Sequence, residues 1–191
     1  GIVAEARVCE IKNCGNEGAI TGVQYVGGIT GTMDGEGKNN YGTYLRNCYS
    51  IGNLTVTSGG PDGKSYLGGI TTAYTLGQSG YKAIICNCAF EATLTYPNTN
   101  CEYGGIIGRH FNDVLDSEFP FLENLVFYNY SGSLYTYYQG TLSTRGWGGE
   151  YHLIHSEQLN YINAWVTTEN GSQNPAPYKR WTVVDNHIAF E

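Results

Sequence analysis

Histidines and acidic residues are the side chains whose types and spacing could support metal binding or catalysis here. His152 and His155 are three residues apart and would share one face of a helix. A zinc site needs further ligands and groups that orient them, and nothing near this pair supplies them. We therefore interpret the pair as part of a polar turn, and we predict no metal ion and no cofactor.

Carboxylates are concentrated in two polar loops, one at residues 34–40 and one at residues 113–118. The first loop does not match the ligand spacing of a calcium-binding EF-hand loop. The second could supply the paired carboxylates of a glycosidase, although acids in a loop are more often a solvated face. We predict no catalytic residue in either loop. The residues concerned are Asp34, Glu36, Asn39 and Asn40 in the first loop and Asp113, Asp116 and Glu118 in the second.

Tyrosine, with 17 residues, is the residue type that most favours a binding function. Its ring packs against apolar surface while its hydroxyl forms hydrogen bonds, which suits recognition surfaces, although packing in the core is the alternative interpretation. Tyr135 and Tyr137 would share one strand face and Tyr138 the other. The candidate binding residues are Tyr128, Tyr130, Tyr135, Tyr137, Tyr138 and Trp147, and a further set recurs at Tyr41, Tyr44, Tyr49, Tyr66, Tyr74 and Tyr81.

A repeated Gly-Gly-Ile motif organises the elements that carry these residues. Gly28, Gly69 and Gly105 are separated by 41 and 36 residues, and Gly1-Ile2 resembles the end of an earlier copy. Periods of this size are typical of stacked supersecondary units. We expect the repeat to continue upstream of residue 1. The paired glycines are Gly27, Gly28, Gly68, Gly69, Gly104 and Gly105.

A second motif, Asn-Cys, follows each glycine pair. The asparagine suits a turn in which its amide bonds to the equivalent residue of the next copy. The cysteine is expected to act as a small buried hydrophobe in an inward row. Cys9, Cys86 and Cys101 lie outside that row, and a disulfide among them stays open. The equivalent pairs are Asn13-Cys14, Asn47-Cys48 and Asn87-Cys88, with Asn124-Leu125 in the fourth copy.

The glycine pairs are predicted to form corners where one copy packs on the next. A Cβ atom there would collide with the adjacent copy, and a positive φ is expected as well. Three strands per copy are predicted, at 25–30, 44–49 and 53–57 in the second copy. The predicted fold is an all-β, right-handed parallel β-helix with three sides, covering residues 1–139.

Residues 140–191 have a different pattern and are predicted to form a C-terminal cap over the exposed strand edges of the last copy. Leu159, Ile162 and Val166 have helical spacing, and Asn170-Gly171 would end that helix. Two short β-patterned segments flank Asp185-Asn186, which indicates a hairpin.

Charge and hydropathy each exclude one class of partner. The formal net charge is -7 and the pI is about 5.0, with no basic stripe, so we predict no nucleic-acid partner. No apolar run is long enough to cross a bilayer, so we predict no membrane insertion.

The combined motifs resemble the GLUG repeat. The second copy is the best match, with Val26-Gly27-Gly28-Ile29 followed by Asn47-Cys48-Tyr49-Ser50-Ile51-Gly52-Asn53. The third copy has Phe90 and Ala92 where the repeat has Ser and Gly, and the fourth copy lacks the cysteine. The resemblance implies a stalk or adhesin-like region of a bacterial secreted or cell-surface protein, and it implies no catalytic site.

These patterns favour a non-catalytic interaction module that binds a glycan or a host surface protein at the cell surface or outside the cell. A polysaccharide-processing β-helix enzyme and a purely structural spacer are the alternatives. Exposed aromatic rings would favour the first hypothesis, and buried acid pairs would favour the enzyme.

Overall fold

The computed structural model describes residues 1–34, 42–75, 82–91, 93–96, 100–110, 121–127, 137–138, 141–142, 151–153 and 159–191. These residues are mostly β-strand with one α-helix, α1 (Leu159–Asn170), which confirms the all-β prediction. No helix in the described ranges is long and apolar enough to cross a membrane.

The strands are short and number five in each complete copy. In chain order they are β1 (Val3–Arg7), β2 (Glu10–Lys12), β3 (Gly15–Asn16), β4 (Ile20–Gly22), β5 (Tyr25–Gly27), β6 (Thr30–Asp34), β7 (Gly42–Arg46), β8 (Tyr49–Ser50), β9 (Leu54–Val56), β10 (Ser65–Gly68), β11 (Thr71–Thr75), β12 (Lys82–Cys86), β13 (Ala89–Phe90), β14 (Leu94–Thr95), β15 (Cys101–Gly104), β16 (Ile107–His110), β17 (Phe121–Glu123), β18 (Leu125–Phe127), β19 (Tyr137–Tyr138), β20 (Thr141–Leu142), β21 (Tyr151–Leu153), β22 (Trp181–Val184) and β23 (His187–Phe190).

Five parallel sheets are built by taking one strand from each successive copy. Their strand orders are β1-β6-β11-β16, β5-β10-β15, β2-β7-β12-β17, β3-β8-β13-β18-β21 and β4-β9-β14. The register keeps equivalent residues side by side, so that Thr30 pairs with Val3 on one side and with Thr71 on the other. The recurring sequence motifs therefore form columns in space.

The glycine pairs lie at bends between strands, and close approach is what requires glycine there. A Cβ atom on Gly28 would lie 2.2 Å from the carbonyl oxygen of Gly69, and one on Gly69 would lie 1.9 Å from that of Gly105. The expectation of a positive φ was wrong, because none of these glycines has one. The predicted strand 25–30 is divided at this bend into β5 and β6.

The left-handed backbone conformation belongs instead to the asparagines. Asn13, Asn47, Asn87 and Asn124 have φ values of 53°, 55°, 53° and 51°. Asparagine tolerates this region because its short polar side chain bonds locally. The bend at Asn47 divides the predicted strand 44–49 into β7 and β8, which is why each copy has five strands rather than three.

These asparagines form a hydrogen-bonded column, here called the asparagine ladder (Asn13, Asn47 and Asn87). Asn47 Nδ2 donates to Asn13 Oδ1 at 2.8 Å, and Asn87 Nδ2 donates to Asn47 Oδ1 at 2.7 Å. Both Asn47 and Asn87 are fully buried, and the ladder gives partners to both polar atoms of the Asn47 amide and to Asn87 Nδ2, which would otherwise be costly to bury. Asn87 Oδ1 is buried without a hydrogen-bond partner in the described ranges.

The cysteine beside each asparagine points into the main core. Cys48, Cys88 and Leu125 are buried there with Leu45, and Cys14 is half-buried against the same cluster. A hydrogen bond to Cys48 and burial raise the pKa of the Cys14 thiol well above its usual value. All six cysteines are free thiols, so the structure contains no disulfide among Cys9, Cys86 and Cys101.

Residues 159–191 lie along the side of the sheets, whereas β21 of the same C-terminal segment pairs with β18 at the end of one sheet. Helix α1, which ends where Asn170-Gly171 predicted, packs with Trp181 and Ile188 against residues from three different copies. Those copy residues are Tyr49, Ala89 and Val126. Strands β22 and β23 form the hairpin predicted around Asp185-Asn186, and both turn residues have positive φ.

The physical reason for the side placement is that the asparagine ladder offers hydrogen-bonding groups to an extended backbone. Asn13 Nδ2 donates to the carbonyl of Pro177 at 2.8 Å, and Lys179 N donates back to Asn13 Oδ1 at 3.0 Å. Asn47 Nδ2 donates to the carbonyl of Lys179 at 3.0 Å. The tail segment 177–181 is therefore held along the ladder rather than beyond its end.

Helix α1 holds the tail segment from the other side. Asn170 exchanges two hydrogen bonds of 2.9 Å with the backbone of Tyr178. Asn163 does the same with Trp181, at 2.8 and 2.9 Å. Because nearly every polar backbone group of the segment has a partner, Tyr178 and Trp181 can be buried without orphaned backbone donors or acceptors.

Candidate functional site

Tyr25 and Tyr66 on sheet β5-β10-β15, together with Arg109 on the neighbouring strand β16, form a row that we call the tyrosine column. The register places Tyr25, Tyr66 and Glu102 side by side on three successive strands. Arg109 comes from β16, which follows β15 after the glycine bend. The repeat itself therefore brings together residues that are far apart in sequence.

The rings of the column are stacked. Tyr25 and Tyr66 have ring centroids 5.0 Å apart and planes inclined by 28°. The Arg109 guanidinium lies 4.8 Å from the Tyr66 centroid and donates to the Tyr66 hydroxyl. Tyr66 is only 2% exposed, whereas Tyr25 is 41% exposed. The arrangement presents one tyrosine ring to solvent on a fixed support.

Arg109 forms an ion pair with a neighbouring carboxylate, that of Glu102. Its NH1 atom lies 3.5 Å from Glu102 Oε1, and both side chains are 16% exposed. The guanidinium is therefore engaged by Tyr66 and Glu102 within the fold. An Arg held in this way contributes to the rigidity of the column more than to the attraction of an external anion.

A polar turn borders the exposed ring. Gln24 Nε2 donates to Asp62 Oδ1 at 3.0 Å, and Lys64 N donates to the same oxygen at 3.1 Å. Gly63, with a φ of 71°, allows the tight turn that places Asp62 there. The column thus combines an aromatic face with an amide and a carboxylate at its edge.

The pKa values of the two tyrosines are affected by the Asp62 carboxylate. Burial is the main reason that the pKa values of Tyr25 and Tyr66 are raised, and the Asp62 carboxylate raises both further. The Arg109 guanidinium lowers the pKa of both hydroxyls. Both phenols are accordingly neutral near pH 7 and can donate and accept hydrogen bonds.

A second aromatic pair lies near the third and fourth copies. Tyr96 and Tyr103 stack with centroids 4.3 Å apart and planes inclined by 25°. Tyr96 is 36% exposed, and Tyr103 packs partly against the main core. This pair has the same form as Tyr25 on Tyr66, an exposed ring supported by a covered one.

The described residues also contain one close histidine–carboxylate pair. His187 Nδ1 lies 2.7 Å from Glu91 Oε1, and Glu91 Oε2 accepts a hydrogen bond from Ile188 N at 3.1 Å. The Glu91 side chain is only 2% exposed. Since both of its oxygens hold the hairpin, the arrangement attaches the C-terminal segment to the third copy.

Most residues of the predicted Tyr–Trp cluster lie outside the described ranges. Tyr137 and Tyr138 form β19, which pairs with β20, but their side chains are not described. The residues outside the described ranges are Tyr128, Tyr130, Tyr135 and Trp147, and so are Tyr41, Tyr81, Glu36, Asn39, Asn40, Asp113, Asp116, Glu118 and His155.

Other predicted residues have described positions, among them His152, Asp34 and Tyr49. His152 lies in strand β21, so the interpretation of this residue as part of a polar turn was wrong. Asp34 ends β6 and forms an ion pair with Arg7 at 3.1 Å. Tyr49 is buried, with its hydroxyl 2.6 Å from Glu17 Oε1, so its role is packing. No group of three potential metal ligands occurs in the described ranges.

Sequence reasoning missed Tyr25, Tyr96 and Arg109 as site residues. Tyr25 precedes the Gly-Gly-Ile motif, and Tyr66 and Glu102 hold the equivalent positions, so alignment of the copies was the available signal. Arg109 gave no such signal, because its place beside Tyr66 depends on how β16 follows the bend.

Comparison with known proteins finds one related fold. No family model and no curated protein sequence matches the chain. The fold is similar to the crystal structure of a protein from Bacteroides ovatus described as a "putative immunoglobulin A1 protease", with a TM-score of 0.52 and 17% sequence identity. The match covers 95% of this chain and 57% of that protein, so this chain spans little more than half of that protein's length.

Proposed function

We propose that this chain is a non-catalytic module of a bacterial secreted or cell-surface protein, and that it binds a glycan or a protein through exposed aromatic rings. The observation that carries the proposal is the Tyr96 ring, which is 36% exposed and stacks on Tyr103 with centroids 4.3 Å apart, away from the edge formed by β1 to β5. Exposed aromatic rings on a rigid support are typical of recognition surfaces.

We also propose that residues 1–139 form a right-handed, three-sided β-solenoid of GLUG-type repeats, with residues 140–191 as a separate C-terminal element. The parallel sheets with strands in copy order support this proposal, as does the asparagine ladder. The proposed hand follows from the right-handed preference of parallel crossovers.

A further copy of the repeat is proposed to pair with strands β1 to β5. Each of these is the terminal strand of its sheet in the described ranges. Asn47 Nδ2 gives one hydrogen to Asn13 and the other to the tail segment, whereas Asn13 Nδ2 gives one to Pro177 and has no second acceptor in the described ranges. That hydrogen suits the side-chain oxygen of an asparagine in a preceding copy.

The alternatives predict different surfaces. A polysaccharide-processing enzyme needs converging catalytic groups, and a spacer needs no ligand at all. The name of the Bacteroides ovatus protein adds one context, a module of a protease, in which the ligand would be a protein. A binding screen should therefore include protein ligands beside glycans.

The experiment is a binding screen of the purified chain against immobilised glycans and host surface proteins. Wild type is expected to bind at least one ligand, and Tyr96→Ala is expected to weaken that binding. Tyr161→Ala is the matched control, because Tyr161 is similarly exposed, at 45%, but lies on helix α1. Absence of any ligand, or equal loss in the control, would favour the spacer. Turnover of a bound polysaccharide would favour the enzyme.

A further inference from the structure

We propose that two molecules of this chain exchange their tail segments (177–181), so that each tail fills the groove between the asparagine ladder and helix α1 of the other molecule. The partner is therefore a second molecule of the same chain. This inference does not depend on the aromatic surface at Tyr96. It is argued from the hydrogen bonds that line the groove, from the aromatic side chains that fill it and from the exposed turn that leads into it.

The asparagine ladder recognises the backbone of the tail segment. Asn13 donates to the carbonyl of Pro177 at 2.8 Å and accepts from Lys179 N at 3.0 Å. Asn47 donates to the carbonyl of Lys179 at 3.0 Å. All three bonds go to backbone groups, so they hold an extended segment whichever molecule supplies it. They use no backbone group of β1 to β5, and those are the groups that the proposed preceding copy of the repeat requires.

Helix α1 supplies matching groups on the other side of the groove. Asn163 and Asn170 are separated by about two helical turns, or about 10.5 Å along the helix axis. An extended chain covers about 10 Å from Tyr178 to Trp181. Each asparagine pairs with both backbone groups of one of these two residues, at 2.8–2.9 Å. The helix and the ladder therefore form a two-sided clamp for a single extended strand.

Two aromatic side chains of the tail segment fill the groove. Tyr178 is 8% exposed, and its ring lies edge-on to Trp165 with centroids 4.9 Å apart. Trp181 is 1% exposed, and its ring lies 6.1 Å from that of Tyr49 in the second copy of the repeat. Aromatic side chains of this size dominate the energetics of such contacts. The groove therefore fits this sequence, and the tail of a second molecule is its matched occupant.

The turn that leads into the tail segment is suited to opening. Residues 171–176 are all exposed. Gly171 and Gln173 bond back to the end of helix α1, whereas residues 174–176 form no hydrogen bond in the described ranges. No disulfide ties the tail to the sheets, because all six cysteines are free. Six residues extend to about 20 Å when the turn opens, which allows the tail to enter the groove of an adjacent molecule.

The closed and exchanged forms contain the same contacts to the tail, so protein concentration and the length of the turn decide between them. A tail attached by a short flexible turn has an effective concentration in the roughly millimolar range at its own groove. Exchange therefore competes when the protein itself reaches that range. It is also favoured when the turn is too short for the chain to reverse.

The test mixes isotopically heavy and light forms of the chain at about 1 mM. Light scattering after size-exclusion chromatography is expected to show a dimer, and lysine cross-linking of that dimer should join a heavy Lys12 to a light Lys179. Lys12 borders the groove, since its Nζ atom lies 5.5 Å from the centroid of the Tyr178 ring. Deleting residues 174–176 should raise the dimer fraction about tenfold at equal concentration, whereas inserting Gly-Ser-Gly-Ser at the same place should lower it.

The cross-links distinguish exchange from other kinds of dimer. Heavy–light cross-links between Lys12 and Lys179 would support the exchange. A dimer in which this cross-link joins only residues of equal mass, while Lys12 is joined across molecules to Lys64, would overturn it, because Lys64 lies among the repeats. A wild type that stays monomeric and unmixed at about 1 mM would overturn it as well. If circular dichroism shows the deletion variant to be unfolded, the wild-type mixture alone decides.

Discussion

Asn47 Nδ2 donates a hydrogen bond of 2.8 Å to Asn13 Oδ1, although the two residues are 34 positions apart in sequence. Each has a left-handed backbone that directs its side chain toward the equivalent residue of the next copy. The same amide also donates to the carbonyl of Lys179. One side chain thus joins two copies of the repeat to the tail segment.

Asn47→Ala is expected to lower the free energy of unfolding by about 3 kcal/mol. The substitution removes two donated hydrogen bonds from a buried site, leaves Asn87 Nδ2 without its acceptor, and places alanine in the left-handed region. Urea unfolding followed by circular dichroism measures the change. Asn53→Ala is the control, since Asn53 is exposed and accepts one bond of 3.3 Å, and a change below about 1 kcal/mol is expected there. Equal effects of the two would contradict the ladder's role.

Gly28→Ala is expected to destabilise the chain by several kcal/mol, on the order of 3. The added methyl group would lie 2.2 Å from the Gly69 carbonyl oxygen and from Ser50 Oγ, and the backbone on that side cannot yield cheaply. Gly18→Ala is the matched control, because the nearest atom to its Cβ is 3.9 Å away. We expect the control to be neutral or slightly stabilising. Equal melting temperatures for the two variants would disprove the close-approach explanation.

Stability is expected to fall in alkaline solution. The pKa of Cys14 is raised by its hydrogen bond to Cys48 and by burial, and that of Tyr49 is raised by burial and by Glu17. Groups with a raised pKa contribute stability below their ordinary values of 9.0 and 10.0, and this contribution is lost as the pH rises toward the folded-state pKa. Urea midpoints between pH 7 and pH 11 should be constant at first and then decrease. Tyr49→Phe, which cannot ionise, should reduce the decrease, and an unchanged slope would refute its assignment to Tyr49.

Glu91→Ala is expected to loosen the C-terminal segment more than it affects the sheets. It removes the acceptor of Ile188 N and of His187 and leaves a buried donor unpaired, which costs about 1–3 kcal/mol. Limited proteolysis should cleave the variant first within residues 171–191. Glu169→Ala serves as the control, since Glu169 is exposed on helix α1. Cleavage that begins in the sheets instead would show that Glu91 does not hold the hairpin.

A chain with residues 28–68 duplicated before Gly1 is expected to be more stable than the parent. The junction restores the Leu-Gly-Gly-Ile motif, and the added Asn47 would accept the second amide hydrogen of Asn13. Thermal unfolding should shift upward, and the same duplication carrying Asn47→Ala in the added copy should shift less. No gain from either form would contradict the proposal that a further copy pairs with β1 to β5.

The repeat was predictable from sequence because its motifs are set by local backbone requirements. Only glycine fits where two copies touch at Gly28, and asparagine suits the left-handed bend at Asn47, so the residue types reveal both positions. The helix and the hairpin turn at Asp185-Asn186 were predictable for the same reason. The five strands per copy were not, since a bend inside an apolar run leaves its alternation nearly unchanged.

The candidate site depended on tertiary structure. Tyr25 and Tyr66 are both tyrosines before a glycine pair, yet one is exposed and the other covered. Tyr66 lies between the Tyr25 ring and the Arg109 guanidinium, whereas Tyr25 is on β5, the terminal strand of its sheet in the described ranges. The tail segment lies on the asparagine ladder because side-chain amides can pair with any extended backbone, and no local pattern specifies which one. Local propensity therefore determined the repeating unit, whereas contacts between distant residues decided which ring faces solvent and where the C-terminal segment packs.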